Sequence, residues 1–173
     1  MHSKWVFKHF YPGSNTRNII LALLWVGGLL IGVLLCALAP YNAKNILYGA
    51  LHTRPTLLSL LLVCVLPLLL TATAVFTSLF PIAYALVLVS AIAHGFSGTA
   101  VYLAVGSAAW IVRPVLLFTA SSTSVLMWWL VLQCKTRDRA YKSVCLALCL
   151  SCLIYIIDLF ILSPFIGDLT KVL

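Results

Sequence analysis

Glutamate is missing from this chain altogether, and its only acids are Asp138, Asp158 and Asp168. Charged residues make up 8% of the 173, against 64% hydrophobic ones, and the mean hydropathy is +1.15. So little charge cannot clothe a water-soluble domain of this size. The motifs of hydrolysis and nucleotide chemistry are missing too. No GxSxG frame, HExxH pair or Walker loop occurs, and only one acid, Asp158, falls inside an apolar run. Serine, metallo- and aspartyl hydrolysis therefore have little to stand on, and active pumping would need a separate ATPase. Cys36, Cys64, Cys134, Cys145, Cys149 and Cys152 lie in or beside apolar runs, which argues against a disulfide framework.

What the chain does have is apolar length. Runs at 19–38, 57–76, 81–105, 110–132 and 143–162 each hold about 20 mostly apolar residues, enough for a helix to cross roughly 30 Å of hydrocarbon. The expected fold is all-α: a polytopic transmembrane bundle of about five spans, forming one domain over 18–173. Before it, residues 1–17 alternate basic and aromatic types (Lys4, Trp5, Phe7, Lys8, Phe10, Tyr11, Arg17) and suit an interfacial segment. Ala37-Leu38-Ala39 imitates a signal cleavage site, but Pro40 follows it and the run is long, so the first helix is expected to be retained.

The net charge of +8 comes from 11 Lys and Arg placed mostly at helix ends. There they set orientation and touch anionic lipid, so the bilayer rather than nucleic acid is the expected partner. Counting Lys and Arg by loop puts seven on one side and four on the other. That favours a cytoplasmic N-terminus and an outer C-terminus in a multi-pass protein of the cell membrane.

Glycine and proline punctuate the spans. Gly27, Gly28 and Gly32 are candidates for close helix packing, with Gly28 and Gly32 forming a GxxxG pair that serves internal packing or dimerisation. The third span runs into His94-Gly95-Phe96-Ser97-Gly98, where Gly95 and Gly98 suggest packing and an interruption. Gly106 and Pro114 mark a break before the fourth helix, so the third and fourth helices are expected to be interrupted or kinked. Thr77–Pro81 is so short a connection that the second and third helices must form a tight hairpin, with Pro81 in a helical first turn.

Ionisable groups inside spans are functional suspects, because each costs a few kcal/mol in hydrocarbon. His94, Arg113 and Asp158 qualify, and Arg113 and Asp158 fall at similar depth in the outer third, where pairing is expected. An ion pair that fixes helix register, an Arg113 that snorkels to the headgroups, a proton relay and a partner-helix surface all fit this pattern. Cys145, Cys149 and Cys152 form an i, i+4, i+7 stripe on the far side of the fifth helix from Asp158. The stripe faces lipid or a partner if Asp158 faces inward. One helix cannot wrap a metal tetrahedrally, so these cysteines read as packing residues; no metal or cofactor is expected.

The order of these features resembles the stage II sporulation protein M family of bacterial membrane proteins. Arg17 begins a first helix bearing Val-Gly-Gly-Leu-Leu-Ile-Gly, and a Leu-rich hairpin follows around Leu66-Pro67. His94-Gly95-Phe96-Ser97-Gly98 is similar to the family's Gly-Phe stretch, and Gly106, Pro114, then Asp158 with Pro164 complete the likeness. Asp158 stands where the family pattern has Glu. The resemblance implies a non-enzymatic scaffold of the cell envelope that holds cell-wall-remodelling partners, as in sporulation. It also implies docking through an outer face of residues 39–55, 106–114 and 163–173. The alternative is a small transporter subunit, substrate-binding or permease, driven by a separate ATPase, since interrupted helices often line substrate sites. Oligomeric state, homo-oligomers included, stays open.

Overall fold

The computed structural model describes residues 14–38, 58, 61–77, 79–106, 117–133 and 137–162. Apart from short turns these are helical, and no strand occurs among the described residues. Five helices follow in order: α1 (Ser14–Leu38), α2 (Leu66–Phe76), α3 (Phe80–Val105), α4 (Phe118–Gln133) and α5 (Arg137–Ile157). Three stretches are long and apolar enough to cross a membrane: Thr16–Leu38, Phe80–Leu103 and Tyr141–Leu162. The apolar helices Leu66–Phe76 and Phe118–Leu132 are shorter, so among the described residues the spans of sufficient length number three rather than five.

A π-helical turn, Leu61–Val65, leads into α2, and another, Asp158–Leu162, continues α5. In each case a proline stands two residues beyond the turn, Pro67 and Pro164. Proline lacks the N–H that would bond the carbonyl four residues earlier, and its ring pushes that carbonyl aside. Widening the preceding turn is one way to absorb that push.

The α2–α3 hairpin is closed by backbone bonds. Thr77 N donates to Thr73 O at 2.9 Å, and Leu79 N donates to Ala74 O at 2.7 Å. Pro81 sits in the first turn of α3, where a missing N–H costs nothing.

The α1–α3 pair is the most extensive helix contact. A Cβ added at Gly28 would lie 2.7 Å from Ala91 Cβ and 3.0 Å from Leu88 O. One at Gly32 would meet Phe96 N at 2.7 Å as well as the Ile92 carbonyl, and one at Gly95 would run into the backbone of Leu29. Both chains advance by four residues between these contacts, so α1 and α3 run parallel. The interruption expected at Gly95–Gly98 is absent: α3 is continuous helix from Phe80 to Val105. Glycine weakens a helix in isolation, but here Gly95 lets two backbones touch, and that packing outweighs propensity. Gly98 is also buried. Gly27 is not part of the crossing; a Cβ there would meet nothing within 4 Å.

α3 ends at Gly106, whose φ of 62° is a left-handed conformation that glycine adopts without strain. The kink expected at Pro114 lies outside the described residues, as do Arg113 and the 1–13 segment. A second core is formed by Leu21, Leu68, Val75, Val87, Met127, Leu130 and Ala147, drawn from all five helices.

Candidate functional site

α4 carries five hydroxyl residues in six positions: Thr119, Ser121, Ser122, Thr123 and Ser124. Hydroxyls suit a helix in lipid, because each can return its proton to a carbonyl one turn back. Thr123 does so to Thr119 O at 2.8 Å, and Ser124 does so to Ala120 O at 2.9 Å. The hydroxyls of Thr119 and Ser121 reach across to other helices.

His94 on α3 is buried, and its Nε2 lies 2.8 Å from Ser121 Oγ. Its Nδ1 lies 3.2 Å from the carbonyl of Ser90. A carbonyl only accepts, so Nδ1 carries the proton, and in the neutral ring Nε2 accepts from the Ser121 hydroxyl. Ser90 Oγ and Ser124 Oγ are 2.5 Å apart. Because Ser124 spends its proton on Ala120 O, Ser90 is the donor of that pair. The partner spacing (94 with 121, 90 with 124) makes α3 and α4 antiparallel. Trp25 of α1 covers the His94 ring at 5.6 Å between centroids, and Trp128 of α4 follows at 6.4 Å from Trp25. Thus one histidine joins α3 to α4 by a hydrogen bond and to α1 by ring contact.

Asp158 opens the π-helical turn after α5 and accepts a hydrogen bond at 2.6 Å from Thr119 Oγ1. Nearby, the buried Cys64 of the first π-helical turn lies beside the hydroxyls of Thr123 and Ser151. Cys145, Cys149 and Cys152 are exposed on the opposite side of α5, and all the described cysteines are free thiols.

The structure does not gather His94 and Asp158 into one cluster. Their partners, Ser121 and Thr119, are two residues apart, which places them about 200° apart around α4. α4 therefore stands between the two ionisable groups. The expected pairing of Asp158 with Arg113 falls outside the described residues; the partner seen for Asp158 is Thr119. Among the described residues, no three His, Cys, Asp or Glu side chains come together as a metal-ligand set.

A Ser hydroxyl on a His nitrogen is the pairing from which nucleophiles are activated. Here the ring is buried under Trp25 and oriented by a carbonyl of its own helix, so the pair serves chiefly as an interhelix tie. Compared with family models, curated proteins and solved structures, the chain matches none. Its chemistry must be argued from these contacts.

His94 and Asp158 stand out in the sequence; their partners do not. The signal that could have found them is the hydroxyl run at 119–124, the densest in any of the apolar runs.

Proposed function

We propose that this chain is a non-enzymatic membrane scaffold, a helical anchor that recruits envelope or cell-wall-remodelling partners. The observation that carries this reading is how the costly polar groups are used. His94 and Asp158 each bond to a hydroxyl on a different face of α4. In lipid such bonds hold helices in register, which suits a rigid platform better than a moving substrate path. The likeness to the stage II sporulation protein M family points the same way. In this reading the N-terminus is cytoplasmic, five helices cross the bilayer, and partners dock on the outer face formed by residues 39–55, 106–114 and 163–173.

The test is affinity purification of the tagged full chain in mild detergent, from wild type and from variants with the 39–55 segment replaced by a neutral linker. Cell-wall hydrolases or synthases that co-purify with wild type and are lost with the replacement would support the scaffold. An ATPase pair co-purifying with the chain, unaffected by the replacement, would overturn it in favour of a transporter subunit.

A further inference from the structure

Arg17 lies one turn inside α1 and is 5% exposed, far from the open position a lone basic residue takes at a membrane surface. Its Nε and Nη1 are buried and have no hydrogen-bond partner. The Tyr84 hydroxyl, one turn inside α3, is buried and likewise without a partner. The guanidinium is close enough to act electrostatically on that phenol. Two orphaned polar groups thus lie within electrostatic reach of each other, each one turn inside parallel helices.

A buried cation with unsatisfied N–H groups is strongly destabilising unless an anion completes it. Asp158 does not serve, being held by Thr119 of α4, and no ion pair to Arg17 occurs among the described residues. Two N–H donors in a planar fork and one O–H donor call for an acceptor with several oxygens and a negative charge. A phosphate group has that form, and arginine engages it in bidentate fashion. The level is right as well. Exposed Thr16 and Asn18 lie at the polar edge, while Ile19 (60% exposed), Leu23 (68%) and Ile82 (49%) face the acyl phase beside it.

We infer that Arg17 and Tyr84 form a receptor for one phosphate anion at the α1–α3 entrance. The occupant is the headgroup of an anionic phospholipid, whose phosphate the site shares in chemistry with free inorganic phosphate.

The experiment is native mass spectrometry of the full chain, titrated with phosphatidylglycerol, phosphatidylcholine or inorganic phosphate. The proteins are wild type, Arg17→Gln, Arg17→Lys, Tyr84→Phe and the exposed-site control Lys142→Gln. The expected result is tighter retention of phosphatidylglycerol than of phosphatidylcholine by wild type and Lys142→Gln. Arg17→Gln should weaken it about tenfold or more, with smaller losses in Tyr84→Phe and Arg17→Lys. Saturable inorganic phosphate binding lost in Arg17→Gln, with no preference between the lipids, would keep the anion site but assign its ligand to solution. Equal phosphatidylglycerol binding by wild type, Tyr84→Phe and Arg17→Lys, with no phosphate binding, overturns the proposal even if Arg17→Gln fails to fold.

Discussion

Gly28 and Gly32 occupy one face of α1, and a side chain on either would strike the backbone or Cβ atoms of α3 within 3 Å. Overpacking at such a contact forces the helices apart. Gly32→Ala is expected to lower stability by about 1–3 kcal/mol, whereas Gly27→Ala, facing open space, should change it by no more than about 0.5 kcal/mol. Reversible unfolding in mixed micelles distinguishes the two. The same measurement bears on the polar ties. Thr119→Val removes the only described donor to Asp158 and should cost about 0.6 kcal/mol, with a ceiling near 1.7, as interhelix hydrogen bonds in bilayers do. His94→Ala should cost more, about 2 kcal/mol or above, since it opens a void under Trp25 as well as breaking the Ser121 bond.

At the scale of elements, two features depart from plain α-helix, and both stand just ahead of a proline. The π-helical turns bring Cys64 and Asp158 to α4, where Thr119 and Thr123 meet them. Meanwhile α5 presents a cysteine stripe outward. Reactivity should therefore split by position. In the folded, detergent-solubilised protein a small maleimide at about pH 8 is expected to modify the exposed Cys145, Cys149 and Cys152 before the buried cysteines. Cys145, nearest the helix start, should react first. Cys36 and Cys64, both fully buried, should react only after unfolding. Mass mapping of the labelled peptides checks this. Fast labelling of Cys64 in the native state would contradict the packing of the Leu61–Val65 turn against α4.

For the whole molecule, the decisive relation is that α1 and α3 are parallel while α3 and α4 are antiparallel. Parallel neighbours must start on the same side of the bilayer. A reporter at the N-terminus and one inserted in the 77–79 connection should thus be accessible from a single side. A reporter after Gly106 should be accessible from the other. Opposite exposure of the first two would break the α1–α3 pairing, whichever side proves cytoplasmic.

The apolar runs by themselves determined that this chain is helical and membrane-embedded, because a backbone in lipid must satisfy its own hydrogen bonds. They also marked the hairpin at Pro81, the end of α3 near Gly106, and His94 and Asp158 as polar groups needing company. Tertiary structure alone decided what that company is. Gly95 could be read as a packing residue or as a breaker until α1 was laid against it, since glycine's effect depends on whether a neighbouring backbone fills the space it leaves. His94 and Asp158 could be picked out as polar groups within spans, but which side of α4 each one meets could not, because rotation relative to other helices cannot be counted along a helix. Their separation by α4, and the burial of Arg17 beside Tyr84, follow from helix–helix angles that no single segment encodes.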